Sequence, residues 1–282
     1  ASGQAGPLWV EGGGGGGLYI ITGTVTISHC NIYRNFAPVG GGGVWFENST
    51  ATLIGSQVTT NTGLLVGGGL ALYQSNAAVY GNNFEANVSG VGGGAWLDQS
   101  MATFTNNNFS SNESGAGGGL TVWSSDVTLN QNYFTANTAY GHQTGADGGG
   151  LNLSHSTAAL SDNIITGNTA DLDGGGLYLT GSTLTLTGNS FSHNHAQAGG
   201  GLYAMSTNTI TASGNIIAQN LADLGGGVVL TNDFQTDPDE VRLVNNIVAD
   251  NQAATSCPGL YVNSSSATLL HNTIAWNRGG DG

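Results

Sequence analysis

The sequence contains no lysine and three arginines, Arg34, Arg242 and Arg278, against 17 acidic residues, for a formal net charge of -14. Without basic clusters it offers nothing to phosphate backbones or anionic lipid, which excludes nucleic acid and acidic membrane surfaces as partners. Charged residues of both signs make up 7%, against the roughly 25% usual in soluble proteins. Apolar residues remain at 39% with only 4 prolines, so the scarcity of charge does not signal disorder. No apolar run approaches the roughly 18 residues of a membrane helix, and the segment after Ala1 lacks the regions of a signal peptide. The expectation is a soluble chain that inserts no segment into a membrane and whose export signal has been removed.

What is abundant is glycine, 49 of 282 residues, and it is periodic. A glycine run followed by an apolar residue recurs, with that residue at Leu18, Val44, Leu70, Ala95, Leu120, Leu151, Leu177, Leu202, Val228 and Leu260. An apolar-x-x-Asn phrase keeps step, ending on Asn35, Asn61, Asn87, Asn112, Asn137, Asn168, Asn194, Asn220, Asn251 and Asn277. Five residues earlier stand Asn82, Asn107, Asn132, Asn163, Asn189, Asn215, Asn246 and Asn272, with Ser56 and Cys30 in the two N-terminal periods. Registers of about 25 residues that never slip imply identical stacked layers.

The layers are β rather than helical, because apolar residues alternate after each glycine run, as in Leu70 and Leu72 or Leu177 and Leu179. Val127 and Leu129 or Leu184 and Leu186 mark a second inward strand, and Phe84, Phe109, Phe134 and Phe191 a third. Three strands per period describe an all-β, three-sided parallel solenoid of about ten coils, roughly 48 Å long at ~4.8 Å per coil. The repeated asparagines are expected to form a structural ladder, with left-handed backbone at the turn and amides bonded from coil to coil. Cys30 and Cys257 fall nine layers apart, too far for a disulfide. One domain over 12–282 is expected, preceded by a cap or docking segment at 1–11. An uncapped final coil would accept further coils of a longer chain or a second copy in a head-to-tail filament.

The glycine triplets such as Gly92 to Gly94, with the Phe-x-x-Asn phrases Phe84 to Asn87, Phe109 to Asn112, Phe134 to Asn137 and Phe191 to Asn194, resemble the repeats of chlamydial polymorphic membrane proteins and related bacterial surface β-helix proteins. The resemblance covers almost the whole chain and implies a right-handed parallel β-helix on a cell surface or outside the cell, with a structural or adhesive role. The same pectate-lyase-like superfold carries polysaccharide lyases and glycoside hydrolases, which keeps an enzymatic alternative open. Catalysis would need converging carboxylates or a lyase base. No paired acids are expected on the strands, and only Arg242 lies near an acidic segment, so no catalytic residue is assigned.

Function is expected where the repeat is interrupted or faces outward. Two periods are lengthened, by insertions at 138–147 and 232–240. The second holds Asp233, Asp237, Asp239 and Glu240, and Asp147, Asp171 and Asp173 gather in neighbouring coils. These oxygen ligands would suit calcium, although the fold requires no cofactor, and a solvated acidic surface is the alternative. After the first inward residue of each coil comes an outward column holding Tyr19, Trp45, Trp96, Tyr178, Tyr203 and Tyr261, which suits glycan stacking or strand stabilisation alike. Seven threonines from Thr26 to Thr268 form a column on the second strand that resembles ice-binding solenoids, or simply reflects β-propensity. Asn48, Asn108, Asn152 and Asn263 open outward or turn-located glycosylation sequons.

Overall fold

The structure, a computed structural model, describes residues 14–141, 145–206, 209–232 and 240–279. Its strands form four parallel sheets, three of ten strands and one of nine, each running the length of the stack. The first sheet runs from Leu18–Ile21 to Leu260–Asn263, the second from Thr24–Ser28 to Ala267–Leu270, and the third from Asn31–Tyr33 to Thr273–Ala275. The fourth runs from Phe36–Ala37 to Gln252–Ser256. Each residue pairs with its repeat equivalent, and the register holds across the first insertion, where Leu120 pairs with Leu151.

Alternation explains how one coil closes. In the fifth coil, Leu120 and Val122 of the first strand, Val127 and Leu129 of the second, and Phe134 of the third point inward and are at most 4% exposed. Like residues meet like residues one layer away, so Phe84, Phe109 and Phe134 stack with ring centroids 4.7 and 4.8 Å apart. Full burial of such a side chain contributes about 1.5–3 kcal/mol, and the stack supplies it again in every coil. The fourth face was not among the three read from alternation. Its strands are short, and their inward positions carry small residues such as Ser114, Ala139, Ala170 and Ala196. Backbone crowds in where large side chains are missing: a Cβ on Gly93 would lie 2.6 Å from the carbonyl oxygens of Glu113 and Gly118.

Each corner contains one residue with left-handed backbone. In the fifth coil these are Gly117 (φ 61), Ser124 (φ 46), Gln131 (φ 55) and Ala136 (φ 53). At the two asparagine corners the strained residue therefore precedes the asparagine, which corrects the expectation that asparagine itself adopts this conformation. The asparagine instead partners the backbone. Asn137 is fully buried, accepts from the Asn112 backbone N–H (3.0 Å) and Nδ2 (2.9 Å), and donates from Nδ2 to the Phe109 carbonyl (2.9 Å) and Asn168 Oδ1 (2.9 Å). Both asparagine columns repeat this pattern. A serine ladder supports the corner between the first and second sheets, where the backbone N–H groups of Ser49, Ser75, Ser100, Ser125 and Ser156 each donate to the serine Oγ of the next coil.

In the last described coil the inward positions Val262, Leu269 and Ile274 are 41%, 43% and 49% exposed, with no further layer over them among the described residues. Cys30 and Cys257 are free thiols in the first and last coils. The segment 1–11 lies outside the described residues.

Asn137→Ala should destabilise the protein by about 2–5 kcal/mol, because it strands buried donors and acceptors on both sides. Gln131→Ala, at an exposed corner, should change stability by less than about 0.5 kcal/mol. Urea unfolding midpoints check this, and equal midpoints for the two variants would contradict the ladder's role.

Candidate functional site

The outward face of the first sheet carries two columns, formed by the second and fourth residues of each strand. The expected aromatic column is the first, and it divides into separate groups. Tyr19 meets Trp45 edge-on at 6.3 Å, and Trp45 reaches Trp96 at 6.1 Å across Ala71, whose small side chain leaves the gap between them. Tyr178 stacks on Tyr203 at 5.8 Å and 6°. Buried Thr121 and Asn152 separate the two groups, and buried Val229 separates Tyr203 from Tyr261. The stripe is half sunk rather than fully open. Val66 and Val91, which end strands of the fourth sheet, pack against the Trp45, Tyr73 and Trp96 cluster, so Trp96 is only 7% exposed while Tyr19 is 42%; Tyr178, in the other group, is also 7% exposed.

The second column escaped the sequence reading. It places Glu47, Tyr73, Asp98 and Trp123 in consecutive coils on the same face, with Glu47 paired to Tyr73, Tyr73 to Asp98 and Asp98 to Trp123. The strands therefore place two acids on one face, two coils apart with Tyr73 between them. The period of two residues starting from the aromatic column would have found them. The Tyr19 hydroxyl donates to Glu47 Oε2 at 2.5 Å. Partial burial, this bond and the Glu47 charge push the Tyr19 hydroxyl up to about 12. Burial also raises the Asp98 carboxyl above the ordinary carboxylate range, opposed by a hydrogen bond from the Gln99 backbone. Tyr73 is raised by burial and then by the charges of Asp98 and Glu47. The face can stack apolar ring surfaces and accept hydrogen bonds from hydroxyl or ammonium groups, and it has no cation.

A shallow groove crosses the second sheet along the threonine column, floored by Thr52, Ala78, Thr103, Thr128, Ala159 and Thr185, with Met101 and Asp126 on its flank. The alanines, Met101 and Asp126 interrupt the regular hydroxyl array that ordering ice would need.

Residues 9–170 and 144–281 match the family model described as the right handed beta helix region. The chain belongs to this right-handed β-helix family. The solved periplasmic alginate epimerase AlgG is similar in structure, with a TM-score of 0.47 at 13% identity, covering 91% of this chain and 74% of that one. A double mutant of the same enzyme gives 0.51 at 15%, covering 91% and 70%. At such identities the likeness is one of fold. No curated protein matches the sequence.

Two of the expected calcium-site residues accept hydrogen bonds from backbone groups. Asp147 Oδ1 accepts from the Asp173 backbone N–H (3.2 Å), and Asp171 Oδ2 from that of Gly141 (3.0 Å). Among the described residues no three acidic, histidine or cysteine side chains gather in a metal-binding arrangement. Asp233, Asp237 and Asp239 lie outside the described residues, and Glu240 opens the exposed start of the strand Glu240–Val244. The first insertion begins later than expected, because Thr138–Ala139 still forms a strand of the fourth sheet. Among the sequons, Asn48 and Asn263 are exposed and Asn108 half-buried. Asn152 is corrected: it is 8% exposed and its Nδ2 donates to the Asp147 carbonyl (3.3 Å), so the folded β-helix withholds it from a glycosyltransferase.

Burial pushes the Asp147 carboxyl from 3.8 up to about 6, opposed by its bond from Asp173. As pH rises through this window the unfolded chain ionises first, so the folded state loses stability and the loss is complete above the folded value. Asp147→Asn keeps the Oδ1 acceptor and should be more stable than the parent by about 2–3 kcal/mol at neutral pH, with the difference mostly gone near pH 4 and fully gone by about pH 3. Urea midpoints across this range check it, and parallel profiles would contradict it.

Proposed function

We propose that this protein is a non-catalytic structural or adhesive β-helix of the cell surface or extracellular space, and that it holds polysaccharide on the outward face of its first sheet. The observation that carries this reading is the Tyr19, Trp45, Tyr73, Trp96 and Trp123 group, which is interleaved with Glu47 and Asp98 on a wall of paired strands. Aromatic faces bury the C–H surfaces of sugar rings, and neighbouring carboxylates accept from their hydroxyls. The exposed amides Gln74 and Gln99, bonded to each other at 3.1 Å, add polar groups at the adjoining corner. A surface location is supported by the low charge content and by the resemblance to repeats of bacterial surface proteins. The exposed core positions of the last coil would receive another layer in register, from the same polypeptide or from a second copy.

One observation favours an enzyme as the second reading. Glu47 and Asp98 stand two coils apart, roughly 9–10 Å along the axis at ~4.8 Å per coil, and inverting glycosidases separate their carboxyls by about 6.5–9.5 Å. Incubation with a panel of polysaccharides should release no reducing or unsaturated ends. Release that Asp98→Asn abolishes would make the enzymatic reading the correct one.

Binding to the same panel should be measurable by affinity electrophoresis. Tyr19→Ala and Trp123→Ala remove exposed rings without opening the core, and each should weaken binding by about tenfold, the order of one stacked contact. Retardation by no polysaccharide, or retardation unchanged in both variants, would contradict the assignment of this face.

A further inference from the structure

We propose that the Tyr19-to-Trp123 half of this face selects a polysaccharide of amino sugars with free ammonium groups over neutral or uronic acid chains, which deepens, and rests on, the carbohydrate-binding reading above. Its first support is the sign of the charge. Over the first five coils the ionisable outward residues of the first sheet are Tyr19, Glu47, Tyr73 and Asp98, with no cation among them. The arginines stand elsewhere: Arg34 at a corner between the third and fourth sheets, Arg242 outward on the second sheet, and Arg278 beyond the last coil, paired with Asp250 at 3.9 Å. A polyuronate laid on this face would set its carboxylates against Glu47 and Asp98 with nothing to balance them.

The second support is the setting of those carboxylates. Asp98 is 7% exposed and stands in register beside Tyr73, itself 8% exposed. Charges in so dry a place act on a ligand more strongly than charges in open water, in attraction and repulsion alike. An ammonium group there gains a carboxylate acceptor and the negative faces of neighbouring aromatic rings. A neutral acetamide N–H can donate to the carboxylate but brings no charge to it or to the rings.

The third support is an unmet demand in the same cluster. The indole Nε1 groups of Trp45 and Trp96 are buried and have no acceptor among the described residues. Buried donors without partners are rare in folded proteins, and sugar hydroxyl and ring oxygens are acceptors. Glu47 and Asp98, two layers apart with Tyr73 between them, suit a polymer that presents ammonium groups repeatedly rather than a single amine.

Calorimetry with three probes at near-neutral pH and low salt tests this: a glucosamine hexamer, its fully N-acetylated counterpart and a galacturonate hexamer. The glucosamine hexamer should bind at least about tenfold more tightly than the acetylated one, with a preference that shrinks as salt is added, and the galacturonate hexamer should bind weakest. The isosteric double variant Glu47→Gln, Asp98→Asn should reduce the preference to below about threefold, by weakening the glucosamine hexamer more than the acetylated one. Equal affinity for the glucosamine and acetylated hexamers, or a preference retained in the double variant, would overturn the charge selection and leave the carbohydrate reading intact. Tightest binding of the galacturonate hexamer would overturn it as well. Binding of none of the three would remove both this inference and the reading beneath it.

Discussion

Each coil turns four corners in about 25 residues, and at two of them the backbone N–H of the corner asparagine is buried with no strand partner. The asparagine of the next coil supplies the missing acceptor: the Asn112 N–H meets Asn137 Oδ1, and the Asn137 N–H meets Asn168 Oδ1, each at 3.0 Å. Much else in the sequence follows from this constraint. A corner of one left-handed residue followed by one asparagine can stack only if every coil places its asparagine at the same height, which fixes the register of all four sheets. Insertions are then admitted only between the last ladder asparagine and the glycines, or between the first and second strands, where they leave the columns in step.

A scaffold specified by inward columns and corner ladders leaves its outward columns free to vary. On the first sheet they vary toward aromatic and acidic residues, on the second toward threonine, alanine and serine. The concentration of Trp45, Glu47, Tyr73, Trp96, Asp98 and Trp123 in four adjacent coils is not needed for stacking, since the later coils manage with Asn152, Ser154, Thr180 and Val229 at equivalent places. Part of the aromatic group does stabilise: Trp96 packs beneath the ends of the fourth sheet, and Ala71 lets the indoles close over it. What remains at the surface is a ridge of half-exposed rings beside two carboxylates held by a rigid wall.

The repeat made much of the fold legible. Leu18, Val44 and their equivalents announced the first sheet, and the asparagine columns announced two corners. The fourth sheet was hidden because its inward residues are Ala, Ser and Gly, which carry no alternation of large apolar side chains. The serine ladder was hidden because Ser49, Ser75 and Ser100 look like ordinary turn residues until the next coil shows what accepts from what. At the candidate site the aromatic column was visible, but its burial was not, because Val66 and Val91 come from a strand that periodicity did not reveal. Glu47 and Asp98 were passed over because acids were sought as local pairs, whereas here the pairing runs across layers 51 residues apart in sequence. Asn152 looked available for glycosylation because the following strand residues alternate normally, yet the glycine corner folds back over it.

The central claim is that corner side chains bonded from coil to coil hold the solenoid as one cooperative stack. Native-state hydrogen exchange at the backbone amides of Asn107, Asn132, Asn163 and Asn189 tests it most directly, because each donates to a side chain of the following coil at 2.8–2.9 Å. The account predicts protection close to that of the slowest amides in the protein and similar at all four positions, including Asn132 and Asn163, which face each other across the first insertion. Exchange at these amides as fast as in an unstructured peptide, or protection that collapses across the insertion, would contradict it.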